Sequence, residues 1–170
     1  MNALCLVAHP DDCVIFGYSY IHAHPEHKWT IGYLTYTVQD PRGQELSAFW
    51  KQRGIDCVFL GFEDHWHDNE QKVFTRWPEE SAERACWHLA RDYDLVLTHD
   101  ELGDYGHIHH VLVNRAVQWH PRLVTFAPPG QGVTYTIPTG TYTLDELPMH
   151  KEIIASFHSK EHRNSYKETL

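Results

Sequence analysis

The sequence predicts an α/β fold of Rossmann-like type, with a mostly parallel sheet of about five strands and helices on both faces. Three observations lead there. Short apolar runs alternate with helix-length segments along the chain, the pattern of successive βαβ units. The 170 residues suit one domain with a sizeable core. No internal repeat, low-complexity tract or linker divides them, so residues 1–170 read as a single domain.

Each element has its own local reason. Residues 3–8 (ALCLVA) form a short buried run and read as the first strand. Residues 14–24 place Val14, Ile15, Tyr18 and Ile21 at helical spacing. Residues 30–36 (TIGYLTY) are strand-like, and residues 44–53 are helix-like up to Gly54, a residue suited to a helix C-terminus. Residues 56–61 (DCVFLG) make a third apolar run. Residues 62–77 show no clear period, and so long a loop in a compact domain is usually functional. Pro78 leads into a helix over 79–92, with acids in its first turn. Residues 94–98 (DLVLT) predict a fourth strand, 107–119 a helix and 122–126 (RLVTF) a fifth strand. The turn-rich PPGQG precedes a threonine- and tyrosine-rich stretch with the look of a hairpin, and residues 148–163 predict a closing helix.

Composition narrows the function. The formal charge is 14 − 23 = −9, which argues against binding along a nucleic-acid backbone, where clustered Lys and Arg are needed. It leaves a small nucleotide or sugar substrate open. No apolar run approaches a membrane span, and MNALCLVAHPDD carries no basic start or cleavage site of a signal peptide. Cys5, Cys13, Cys57 and Cys86 lack CxxC spacing and read as reduced thiols, the usage of a cytoplasmic protein. The fifteen histidines are the unusual figure, since imidazole is the commonest metal ligand.

Two loops gather the chemistry. His9-Pro10-Asp11-Asp12 follows the first strand, and THDELGDYGHIHH follows the fourth. In open parallel sheets ligands sit beyond the carboxyl ends of the strands, so both loops fall on one edge. Burying three ionisable groups in four residues is costly unless something balances them. A divalent cation would. An imidazole and a carboxylate three residues apart in a tight turn can grip one ion. On a helix starting near His107, His107 and His110 share one face while His109 points elsewhere. The set His9, Asp12 and His110 then gives two nitrogens and one carboxylate, the ligand count of a catalytic zinc site with an open position. Asp11 and His107 remain for proton transfer. Taken singly, HPDD reads as a turn or helix cap and HxxH as a solvated helix face; their meeting on one edge favours the metal.

These motifs resemble the LmbE-like, or PIG-L, family of zinc-dependent N-acetylglucosaminyl deacetylases. AHPDD is similar to that family's first signature, and Gly103-Asp104-Tyr105-Gly106-His107-Ile108-His109-His110 to its second. Between them, Leu34-Thr35, Arg42-Gly43-Gln44-Glu45 and FLGFED at 59–64 follow the family's order, and Lys151 with His158-Ser159 resembles its C-terminal motif. The resemblance implies zinc, or another divalent transition metal, on His9, Asp12 and His110. It implies Asp11 as general base, and His107 and Tyr105 as groups that stabilise an oxyanion or protonate the leaving nitrogen. It implies that Arg42 and Asp64 hold sugar hydroxyls or phosphate. Within the 62–77 loop, Trp66 is suited to stack on a sugar ring or to plug the loop onto the core, while His65 and His67 read as solvated.

Two departures stand out. The family usually carries an acid where this chain has Cys13, and often an Asp where it has His109. An acid oriented on a ligand supports it through hydrogen bonding, so both replacements bear on tuning, and His109 is also a potential competing ligand. The expected reaction is hydrolysis of the acetamide of an N-acetylated amino-sugar conjugate, giving acetate and a free amine. The alternatives are hydrolysis of another small amide, or a metal- or sugar-binding protein of the same fold without turnover. The expected partner is the small-molecule conjugate, with the oligomeric state left open.

Overall fold

The computed structural model describes residues 1–64, 78–128, 131–136, 141–157 and 163–169. The first strand, β1 (Asn2–Val7), has five consecutive buried residues. Its side chains alternate between two apolar layers, because successive residues of a strand point to opposite faces. Ala3, Cys5 and Val7 pack into one layer, and Leu4, Leu6 and Ala8 into the other. A strand buried on both sides must sit mid-sheet, and β1 does. It pairs in parallel with β2 (Lys28–Thr35) and with β4 (Leu95–Thr98), so that Leu6 lies opposite both Gly32 and Thr98. β3 (Asp56–Phe62) extends the sheet beyond β2, and β5 (Leu123–Ala127) extends it beyond β4, both in parallel.

The helices cover both faces, as parallel strands require. On the first layer lie α1 (Tyr18–Ala23) and α2 (Pro41–Lys51), whose Leu46, Phe49 and Trp50 are buried. Trp50 Nε1 donates to Tyr33 Oη at 2.9 Å, so the buried indole has its partner. On the second layer α3 (Glu79–Ala90) presents Ala82, Cys86 and Ala90. Beside it α5 (Ile108–Val117) presents Leu112, Val113 and Val117. A single distorted turn, α4 (Gly103–Gly106), precedes α5.

The α/β class and the mostly parallel sheet agree with expectation, but among the described residues the sheet has seven strands rather than about five, in the order β3-β2-β1-β4-β5-β7-β6. The two extra strands are β6 (Val133–Thr136) and β7 (Arg163–Thr169), and both are antiparallel additions at one edge. The threonine-rich stretch supplies β6, which pairs with the C-terminal strand. Of the helix expected over 148–163 the described part is α6 (Lys151–Phe157), and Arg163 already belongs to β7. The reason is Tyr166, which is fully buried and whose hydroxyl donates to the carbonyl of Phe16 at 2.5 Å. Pairing with β5 makes a strand of Arg163–Thr169, of which only Arg163 falls within the expected helix. The first helix also differs, opening as a π-helical turn over Cys13–Gly17 before α1. Among the described residues no helix is long and apolar enough to cross a membrane.

Candidate active site

β1 lies where the chain order reverses, between β2 on one side and β4 on the other. A crevice opens beyond the strand ends at such a point. The loops that meet there are pinned to one another. Thr98 Oγ1 donates to the Leu6 carbonyl and Thr35 Oγ1 to the Ala8 carbonyl, each at 2.7 Å. The Ala8 amide donates to His99 Nε2 at 3.0 Å, which fixes the start of the HPDD turn against the end of β4.

His9, Asp12 and His110 converge. His9 Nδ1 lies 3.1 Å from Asp12 Oδ2, His110 Nε2 lies 3.2 Å from the same oxygen, and the two nitrogens are 3.2 Å apart. A tetrahedral zinc with bonds of about 2.0–2.1 Å spaces its ligand atoms about 3.3 Å apart. The triangle therefore fits a small divalent ion with little movement. His110 is aimed by a group behind it. Its Nδ1 donates to Asp104 Oδ2 at 2.8 Å, which leaves the Nε2 lone pair facing the triangle. A carboxylate behind a ligating imidazole both orients the ring and raises its basicity.

Asp104 also accepts from His99 Nδ1 at 2.5 Å, and the His99 and His110 rings stack with centroids 3.7 Å apart. To reach both rings, Asp104 adopts φ 62° and ψ −61°, a conformation that costs a non-glycine residue about 1–3 kcal/mol. Its own amide is held by Asp100 Oδ1 at 2.7 Å. Sequence reasoning placed Asp104 in the second motif without a role and passed over His99. The usable signal was position: a histidine directly after a buried strand, five residues before an acid.

Asp11 belongs to none of the clusters able to hold a metal among the described residues. Its Oδ1 accepts from Arg42 Nη2 at 3.0 Å. Arg42 projects from the first turn of α2, and it also donates from Nη1 to Tyr36 Oη at 2.8 Å and from Nε to His150 Nε2 at 3.0 Å. Tyr36 Oη in turn donates to Asp64 Oδ2 at 3.0 Å. Arg42 and Asp64 are thus joined through Tyr36, which the sequence reading assigned to a strand end and which instead turns out of the sheet with φ 62°. Trp66, with His65 and His67, lies outside the described residues, as does His158. Lys151 forms an exposed ion pair with Asp145 at 2.6 Å.

The second motif corrects one expectation. α5 begins at Ile108, so His107 is its N-cap, with an extended backbone at φ −75° and ψ 124°. The His107 ring folds back to accept from the His109 amide at 3.2 Å. His109 does not point elsewhere: its Nδ1 lies 3.1 Å from His9 Nε2. His107, His109 and His110 all surround His9, with ring centroids 4.6, 5.3 and 5.2 Å from it. Tyr105 is half exposed and sets its ring 5.2 Å from that of His110. Cys13 buries its sulfur against Cys5 at 3.4 Å in the apolar layer.

The electrostatics match a cation site. Burial alone would raise Asp12, yet His110 and His9 hold its carboxyl well below the usual range. Burial opposes a charge on His110 as well, but Asp12 and Asp104 push it up to about 10. Asp104 is drawn down to about 2 by His99 and His110 against its own burial. A metal ion takes the place of the proton that such a ligand would otherwise hold. Asp11 differs: burial, with Asp12 beside it, lifts it to about 6 despite Arg42. Burial and the neighbouring imidazoles press His107 down to about 3.

The family model described as GlcNAc-PI de-N-acetylase (PIG-L) matches residues 4–119. No curated protein matches the chain. Among solved structures, the chain is similar to GalB, the 4-carboxy-2-hydroxymuconate hydratase of Pseudomonas putida KT2440, with a TM-score of 0.59 and 14% identity over 100% of this chain and 97% of that one. It is similar to the zinc-inhibited form of the teicoplanin deacetylase Orf2, with a TM-score of 0.56 and 12% identity over 92% and 84% of the two chains. It is similar also to the conserved protein TT1542 of Thermus thermophilus, with a TM-score of 0.53 and 16% identity over 92% and 80%. At such identities the likeness is one of fold, and the fold serves both a hydratase and a deacetylase.

Proposed function

The chain belongs to the GlcNAc-PI de-N-acetylase (PIG-L) family, and from that premise we propose that it is a zinc-dependent amide hydrolase. It removes the acetyl group from an N-acetylated amino-sugar conjugate and releases acetate and a free amine. One observation carries the reading. His9, Asp12 and His110 bring three donor atoms within 3.1–3.2 Å of one another, while Asp11 stands beside them free of the cluster. A protein that merely stored metal would have no need of that fourth group.

His9, Asp12 and His110 hold the ion, and Asp104 and His99 keep the His110 ring in place. When bound, a divalent ion of this kind polarises a carbonyl and makes water acidic enough to attack near neutral pH. Asp11 accepts the proton of the attacking water, with Arg42 steering the carboxylate. His107 accepts the His109 amide on Nδ1, so the neutral ring carries its proton on Nε2 as a donor to the oxyanion. Tyr105, on the rim, is a second donor. Asp11 then returns its proton to the departing amine. Arg42 and Asp64, linked through Tyr36, are placed to hold polar groups of the sugar.

The test is release of acetate from N-acetylglucosamine conjugates that differ in what the sugar carries, with zinc-loaded protein. Equal amounts of acetate and free amine are expected from at least one. Zinc-loaded protein that cleaves other small acetamides but no acetamido sugar would overturn the substrate assignment.

A further inference from the structure

His9 has two ring nitrogens, and only Nδ1 belongs to the triangle. Its Nε2 faces the other way, into a second group of donors. His109 Nδ1 lies 3.1 Å from it and Asp64 Oδ1 3.5 Å from it, and these two are 4.0 Å apart. His107 stands with His9 and His109 in a group whose ligand atoms lie within 4.8 Å of one another. Asp64 supplies an independent observation. Its side chain is 6% exposed, and although Oδ2 is bonded to Tyr36, Oδ1 is buried without a hydrogen-bond partner. A buried carboxylate oxygen left unpaired is costly. In a native structure such an atom asks for an explanation, and a bound ion is one.

We infer that His107, His109, Asp64 and Nε2 of His9 form a second divalent-metal site, joined to the first through the His9 ring. Three imidazole nitrogens and one carboxylate oxygen suit zinc and other divalent transition metals. His109 makes the site possible, since an acid at that position would not bring a third nitrogen. Filling both sites would require His9 to give up its ring proton to solvent, since each ring nitrogen would then serve one site. Ligation through Nε2 of His107 moves the ring proton to Nδ1, ends the bond from the His109 amide and removes the donor toward an oxyanion. Occupation of the second site therefore slows the reaction, and excess metal acts as a brake.

This inference rests on the first site through His9, so the test keeps the two apart. Metal-free protein is titrated with Co2+, followed by its visible absorption, and bound metal is counted after gel filtration. Wild type is expected to bind two equivalents in two steps. His109→Ala and His109→Gln, two variants of different bulk, are expected to bind one, with the absorption of the first step kept. With zinc, acetate release by wild type should fall more than tenfold between one and several equivalents, whereas His109→Gln should lack that fall. A single equivalent in wild type that is lost in Asp12→Ala would overturn the second site and leave the first standing. Two equivalents persisting in both His109 variants would overturn it as well. No bound metal in wild type would overturn both.

Discussion

Replacing Asp104 by Asn separates a group that tunes the metal from one that only braces a loop. Asn tolerates positive φ nearly as well as Asp, so the backbone at φ 62° is kept. The carboxylate accepts from His110 Nδ1 at 2.8 Å and from His99 Nδ1 at 2.5 Å, and it is 8% exposed. Hydrogen bonds to a charged group contribute about 1.5–3 kcal/mol each against about 1 kcal/mol for neutral ones. Weakening both should cost about 1–4 kcal/mol of stability, at roughly 2–4 °C in Tm per kcal/mol for a chain of this size. Loss of the carboxylate behind a ligating imidazole lowers metal affinity by about 10–100-fold, which is about 1.4–2.7 kcal/mol. The assay is competition for Zn2+ against a chromophoric chelator, beside a thermal melt. Lower Tm with zinc affinity unchanged within about twofold would refute the positioning role and leave Asp104 a structural residue.

Three further outcomes are expected. Arg42→Gln removes the 3.0 Å partner of Asp11 and should lower kcat/KM by about 10–100-fold, the loss of one charge-assisted bond. Zinc content should stay unchanged, and recovery of full activity in Arg42→Lys would contradict a role for the planar fork. Tyr166→Phe removes a hydroxyl held by Ser19 at 2.6 Å and Phe16 at 2.5 Å, and should cost about 1–3 kcal/mol in urea melts with metal stoichiometry intact. Burial, aided by Arg42, holds His150 below its ordinary 6.5 although Glu45 opposes this. The unfolded chain therefore takes up that proton first as pH falls, and stability is lost below about 6.5. His150→Gln should show a shallower loss between pH 7 and 5, and equal slopes would contradict the assignment.

The parts of the fold that were legible are those where local pattern and tertiary role agree. ALCLVA reads as buried because β1 is buried on both faces, and the structure brings the ionisable groups at its tip together with His110 and Asp104 from the second motif. β7 was hidden: the expected helix runs to Arg163 and residues 164–169 are assigned to no element, while pairing with β5 and insertion of Tyr166 make the segment a strand. At the site, the short motifs named His9, Asp12 and His110, but not what stands behind them. His99 lies in no short motif, and its role exists only because β1 and β4 are neighbours. The direction of His109 depended on where α5 begins. Moving that start by one residue turned His107 into a cap and brought His109 onto His9. Tyr36 was misplaced because a positive φ leaves no mark in an aromatic residue's identity.

The central claim is that a metal triangle and an unligated base share this edge. The most direct measurement is zinc content and acetate release from N-acetylglucosamine conjugates, made together on wild type and Asp11→Ala after loading with one equivalent of zinc. The account predicts that both proteins retain the zinc and that only wild type releases acetate. Full activity in zinc-bound Asp11→Ala would contradict the base, and failure of wild type to hold zinc would contradict the site.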